Sequence, residues 1–377
     1  MIYRTFKGEK LSALGFGMMR LPVVNGDGNN IDEDAARAMV CYALEHGINY
    51  FDTAFGYHGG NSEIVTGKLL AEHPRDSFYL ATKFPGSGAD SRERTAEVFE
   101  KQLEKCKVDY FDFYLLHNVN DGSADGYAKP DNASVAYLKE QKSAGRIRHL
   151  GFSAHISYDA FERFLAARHD DMEFCQLQLN YLDWTFQDAK KKVDLLTRYG
   201  IPVWVMEPLR GGRLARLDDK YVSALKDIRA DETVPSFAFR FIQSLPQVCV
   251  TLSGMSSMEQ LKDNLATFEA DKPLTTDEFD KLTAVAADMM ANTVPCTSCR
   301  YCVSKCPVGL DIPRLLGIYN EATVTAGGFN HPWGLRHIDE DKQPSCCLGC
   351  GACAAACPQN IKIPEVFADF SEKLKQY

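Results

Sequence analysis

Near the C-terminal end of the sequence, Cys296, Cys299, Cys302 and Cys306 precede Pro307, and the same run recurs as Cys347, Cys350, Cys353 and Cys357 before Pro358. Each reads Cys-x2-Cys-x2-Cys-x3-Cys-Pro, a spacing that suits a pair of [4Fe-4S] clusters. Three closely spaced thiolates let one tight loop wrap three corners of a cube. The proline then turns the chain away, so the fourth thiolate reaches the neighbouring cluster. Cys296, Cys299, Cys302 and Cys357 are thus expected to hold one cluster, and Cys347, Cys350, Cys353 and Cys306 the other.

Two other uses of these thiols can be weighed. Zinc knuckles also use Cys-x2-Cys pairs, but they leave the third cysteine and the Cys-Pro without a role. A disulfide framework belongs to oxidising compartments, whereas the Met1-Ile2-Tyr3-Arg4 start shows no basic-then-apolar signal segment and suggests a cytoplasmic protein. Cys346 beside the second run is read as a bystander, because using it would break the x2 spacing.

The chain has 377 residues, 45% hydrophobic, enough for one large and one small domain. Its formal charge of −9 argues against nucleic acid as a partner, since phosphate binding needs clustered cations. No apolar run approaches the roughly 20 residues that span a bilayer, so no membrane insertion is expected.

Before about residue 270, short apolar runs alternate with amphipathic stretches. This pattern marks repeated βα units around a parallel sheet. Eight strands are predicted at 13–18, 48–53, 78–83, 111–116, 149–153, 174–179, 202–206 and 249–253, each followed by a helix. An α/β fold follows, a (β/α)8 TIM barrel over residues 1–291. A small helical ferredoxin-like domain is expected over 292–377. Its repeat extends past the cysteines, because Ile312-Pro313 and Ile363-Pro364 follow the two Cys-Pro pairs at one offset, and an insert (319–344) separates the copies. That domain resembles the two-cluster ferredoxin domains appended to anaerobic oxidoreductases.

Active sites of such barrels lie at the C-terminal ends of the strands. There the sequence places Asp52 on the second strand, Tyr57 in the loop beyond it, Lys83 ending the third strand and His117 following the fourth. The stretch Gly47-x-x-x-Phe51-Asp52-Thr53-Ala54-x-x-Tyr57, with Ser62-Glu63, Gly67, Thr82-Lys83, Leu116-His117, Gly151-Phe152-Ser153 and Gln176, resembles the aldo-keto reductases over nearly the whole barrel.

The resemblance implies a nicotinamide-dependent oxidoreductase acting on a small carbonyl or alcohol, with Tyr57 as general acid. A free phenol, with a pKa near ~10, needs a nearby cation to give up its proton at neutral pH. Lys83 would supply that charge, Asp52 would hold the lysine, and His117 would orient the carbonyl.

For NAD(H) or NADP(H), the resemblance places Ser153 and Gln176 on the carboxamide and Met206 against the ring. The region of Gly254 and Asn264 lies at the phosphate end. Ala154 replaces a usual asparagine. Gly254 and Gln260 stand where the family commonly carries Lys and Arg for a 2′-phosphate, so NADPH preference is not expected to carry over. Arg210 and Arg213, flanking Gly211-Gly212, suit either a pyrophosphate or an ordinary loop. The loop 118–131 is read as irregular, with Tyr127 on its surface.

Hydride moves as two electrons and a cubane passes one, so coupling needs an intermediary. A ferredoxin or flavoprotein partner would serve, as would a bound flavin mediator. The clusters could instead be structural, or the barrel a nucleotide platform for an electron-transfer protein.

Overall fold

The computed structural model describes residues 1–291, 293–296, 299–323 and 332–376. The expected boundary residue 292 and residues 324–331 of the insert lie outside this set. The chain divides into two compact units. One comprises Met1–Gly211 and Pro235–Phe279, and the other Gly212–Val234 and Asp280–Tyr377. The segment 212–234 and most of the helix Thr276–Met290 cluster with the cysteine-rich residues, because compactness follows contacts and not sequence order.

The first unit opens with an antiparallel hairpin, β1 (Tyr3–Phe6) and β2 (Glu9–Ser12). Eight parallel strands follow: β3 (Leu14–Gly17), β4 (Tyr50–Asp52), β5 (Tyr79–Phe84), β6 (Phe111–Val119), β7 (Ile147–Ala154), β8 (Cys175–Gln178), β9 (Val203–Met206) and β10 (Val248–Gly254). They close in sequence order, with β10 pairing β3. Every predicted strand is present, and Arg92–Cys106, Ala133–Ser143 and Tyr158–Arg168 are among the helices expected between them.

The hairpin is not evident from the strand pattern. Its turn, Lys7-Gly8, holds two successive positive φ angles, which suits a tight hairpin turn. Phe6 and Leu11 join Tyr50, Phe113, Phe174 and Trp204 in one buried cluster. Phe6 meets the edge of Trp204 with ring centroids 5.0 Å apart. The hairpin therefore plugs the barrel.

The loop after β6 is also more ordered than expected. Ala124–Ala128 is helical and Tyr127 is fully buried, not on the surface. Arg168 Nε donates to the Tyr127 carbonyl at 2.7 Å, anchoring that turn to a neighbouring helix.

The second unit has its own core. Cys302, Leu310, Ile312, Leu316 and Tyr319 from one copy pack with Cys353, Ile361, Ile363, Phe367 and Phe370, their counterparts at one constant offset. The backbone repeats too. Arg300 and Gly351 both take positive φ, as do Gly309 and Asn360. The helices Ile312–Thr323 and Ile363–Leu374 follow the two loops, each with proline in its first turn, where no N–H is needed.

Candidate active site

Asp52 ends β4, and the chain then turns so that Tyr57 N–H donates to the Ala54 carbonyl. Lys83, one residue from the end of β5, is 1% exposed. Its ammonium donates to Asp52 Oδ1 at 2.5 Å, the Thr53 carbonyl at 2.7 Å and Tyr57 Oη at 3.4 Å. All three protons of the ammonium are thus directed. Because Tyr57 Oη accepts from lysine, its own proton is free to be donated elsewhere.

Burial works against the Lys83 charge, yet the Asp52 carboxylate and the Tyr57 oxygen hold its pKa above the ordinary lysine value. Burial also raises Asp52 above the usual carboxylate range, opposed by Lys83. Tyr57 is raised by burial, with Lys83 pulling the other way, so the phenol keeps its proton.

His117 lies within β6, not after it. The β6–β7 register pairs Leu116 with Phe152 and then Val119 with Ala154, so His117 and Asn118 together oppose Ser153. This is a β-bulge, a device that re-aims a side chain. Asn118 takes φ 53° there, and its N–H donates to Ser153 Oγ at 2.8 Å. The His117 ring stands edge-on to Tyr57, centroids 5.8 Å apart. Burial first, then Lys83 and His155, pull its pKa down to about 3, so the imidazole is neutral.

Behind Lys83 lies a polar network that the sequence reading passed over. Glu63, fully buried, accepts from Thr82 Oγ1 at 2.7 Å, Gln102 Nε2 at 2.6 Å and Lys105 Nζ at 2.7 Å. Gln102 also donates to the Lys83 carbonyl at 3.0 Å and accepts from Tyr114 Oη at 2.5 Å. The available signal was a glutamine on the apolar face of helix 92–106, among Val98, Phe99, Leu103 and Cys106. Gly67 lets the helices meet: a Cβ there would lie 2.4 Å from the Lys105 carbonyl.

The expected cofactor residues fall into two groups. Ser153 and Gln176 are register partners on β7 and β8, each 3% exposed. Gln176 Oε1 is a buried acceptor without a donor among the described residues. A carboxamide fits that pair, its N–H toward Gln176 and its oxygen toward the Ser153 hydroxyl. Met206, half-buried at the end of β9, pairs in register with Gln178.

The phosphate end differs. Arg210 is 3% exposed and its Nε pairs with Asp183 Oδ1 at 3.1 Å. Gly211 beside it takes φ +69°, and Arg213 donates to the Glu321 carbonyl. Gly254 lies against the Arg20 side chain, and Asn264 donates to Ser253 Oγ at 3.0 Å. Gln260 folds back to accept from Ser256 N–H.

In the second unit, Cys296, Cys299, Cys302 and Cys357 line one small hollow. Cys306, Cys347, Cys350 and Cys353 line another. Among the described residues no three Cys, His, Asp or Glu side chains converge on a single ion. Each set gathers four cysteine thiols, the donor chemistry that a [4Fe-4S] cluster takes. Cys346 lies outside both sets, its thiol donating to the Glu340 carbonyl.

The fold and site define a TIM-barrel oxidoreductase with a cysteine-rich C-terminal unit. The aldo/keto reductase family profile matches residues 13–287, and the 4Fe-4S dicluster domain profile matches 295–361. The chain belongs to the aldo/keto reductase family and carries a C-terminal 4Fe-4S dicluster domain.

Among relatives, it is 28% identical to the NADH-specific methylglyoxal reductase of Escherichia coli (strain K12) over 302 residues, covering 68% of this chain and 89% of that protein. It is 29% identical to L-galactose dehydrogenase of Arabidopsis thaliana over 294 residues, covering 72% and 88%. An aldo-keto reductase from Bacillus halodurans in its holo form superposes with a TM-score of 0.63 at 26% identity, covering 76% of this chain and 96% of that one. Among the described residues no helix is long and apolar enough to cross a membrane.

Proposed function

We propose that the barrel interconverts a small carbonyl and its alcohol with a nicotinamide dinucleotide. The observation that carries this reading is the Lys83 ammonium set between Asp52 Oδ1 and Tyr57 Oη. In the reducing direction, neutral His117 donates a hydrogen bond to the carbonyl oxygen and orients it. Tyr57 gives its proton to that oxygen as negative charge develops there, and Lys83 stabilises the phenolate left behind. When bound, the nicotinamide supplies or accepts the hydride. Ser153 and Gln176 would hold its carboxamide, and the Met206 thioether would pack on a ring face.

NADH is the proposed partner in preference to NADPH. Neither Gly254 nor Gln260 offers a cation for a 2′-phosphate, and the Escherichia coli relative is NADH-specific.

The two sets of four cysteines are proposed to hold one [4Fe-4S] cluster each, exchanging single electrons with a ferredoxin or flavoprotein partner. Replacing Tyr57 by Phe tests the barrel chemistry. Carbonyl turnover should fall about 10²- to 10⁴-fold with nucleotide binding intact; unchanged turnover would remove Tyr57 from its role. A variant that binds nucleotide tightly beside a wild type with no carbonyl turnover would favour a nucleotide-binding electron-transfer protein.

A further inference from the structure

The two cysteine runs are copies, so each residue in one has a counterpart in the other. Around the cavities the copies differ in charge. Lys305 lines the cavity of Cys306, Cys347, Cys350 and Cys353 from its exposed rim, with no ion pair among the described residues. Its counterpart beside Cys357 is Ala356.

Lys342 approaches the same cavity, donating to the carbonyl of Val308, a lining residue, at 2.8 Å, but it is paired with Asp341 at 3.7 Å, so Lys305 is the cation that distinguishes the two sites. The other cavity is lined by one cation, Arg300, and that guanidinium is already paired with Asp311 at 3.3 Å.

The hydrogen bonding differs in the same sense. Leu310 N–H donates to Cys306 Sγ at 3.4 Å. The corresponding pair, Ile361 and Cys357, makes no such bond among the described residues. Gln359 lines the Cys357 cavity where Val308 lines the other, and that one difference runs the opposite way, since a polar wall favours reduction; the cation and the sulfur-directed N–H are set against it.

Reduction adds negative charge to a cluster. Nearby unpaired cations and N–H groups directed at ligand sulfur stabilise that charge and raise the potential. We infer that the cluster held by Cys306, Cys347, Cys350 and Cys353 has the higher reduction potential of the two and is reduced first. Lys305 and Leu310 are the tuning residues. The inference rests on the crossed ligand sets proposed above.

The test is a redox titration of the anaerobically purified holoprotein, followed by electron paramagnetic resonance. One electron per cluster comes from dithionite, which is oxidised to sulfite. Two resolved waves are expected. Replacing Lys305 by Ala should move the upper wave to lower potential and leave the lower one in place. Ala356→Lys, the same cation placed beside Cys357, should raise the lower wave and narrow the gap.

Coincident waves in wild type, or a Lys305→Ala shift confined to the lower wave, would overturn the ordering. If Lys305→Ala fails to retain its clusters, Ala356→Lys decides alone, and an unmoved lower wave overturns the ordering. Iron and sulfide counts on wild type separate the two levels: protein without clusters defeats the ligand proposal, whereas full clusters with the wrong order defeat only this inference.

Discussion

Lys83 Nζ and Asp52 Oδ1 are 2.5 Å apart, and both side chains are almost entirely enclosed. A buried pair of this kind is costly to break from one side, because the remaining charge loses its partner without regaining water. Lys83→Met should therefore destabilise the protein by about 3–5 kcal/mol and abolish turnover. Adding Asp52→Asn should restore most of the stability and none of the turnover. Denaturant unfolding and steady-state rates on the single and double variants separate the two effects.

His117 makes a signed prediction about pH. Its folded pKa of about 3 lies below the ordinary value of 6.5. Below about pH 6.5 the unfolded chain takes up a proton that the folded site refuses, so stability falls as pH drops toward 3. At about pH 4.5 the loss is roughly 2–3 kcal/mol, and above 6.5 it vanishes. His117→Gln should flatten that part of the stability–pH curve. An equal slope in both proteins would place the effect in other groups.

Gln102 ties the backbone of Lys83 to the Glu63 carboxylate. Gln102→Leu leaves Glu63 one donor short and Tyr114 without its acceptor, at a cost of about 1–3 kcal/mol. With Lys83 less firmly placed, turnover should fall more than substrate affinity, and the limb of the pH–rate profile set by Tyr57 should move to higher pH. A stability loss with an unchanged profile would confine Gln102 to a structural part.

The crossed ligand sets predict a specific pairing of losses. Cys357→Ser should empty or perturb the site of Cys296, Cys299 and Cys302, and Cys306→Ser that of Cys347, Cys350 and Cys353. In each variant iron should drop from about eight to about four atoms per chain. A double variant of Cys306 and Cys347 should lose no more than one cluster; loss of both would contradict the crossing.

Much of this arrangement could be read from the chain alone. Asp52 and Lys83 sit at or next to the ends of strands, and Gln176 within one, whose apolar runs identify them, and those strands all appear. The eight cysteines lie in runs whose spacing carries their chemistry, whereas the part of Tyr57 was implied by the resemblance of its motif to the aldo-keto reductases. Less could be read where the deciding partner is remote. Tyr127 looked like a surface residue because its loop is polar, yet that loop folds into a short helix anchored by Arg168. The pairing of Arg210 with Asp183, 27 residues earlier, was not legible either.

The sequence by itself determined the alternation of eight strands with helices, the residue types of the tetrad and the duplicated cysteine loops. These depend on periodicity and on neighbours a few residues apart, which a linear chain displays directly. Only the tertiary structure decided the bulge that aims His117, the plug made by Phe6, the Glu63–Gln102 support behind Lys83 and the Gln176 oxygen left without a donor among the described residues. Each of those is a contact between segments distant in sequence, set by how strands register and how cores close.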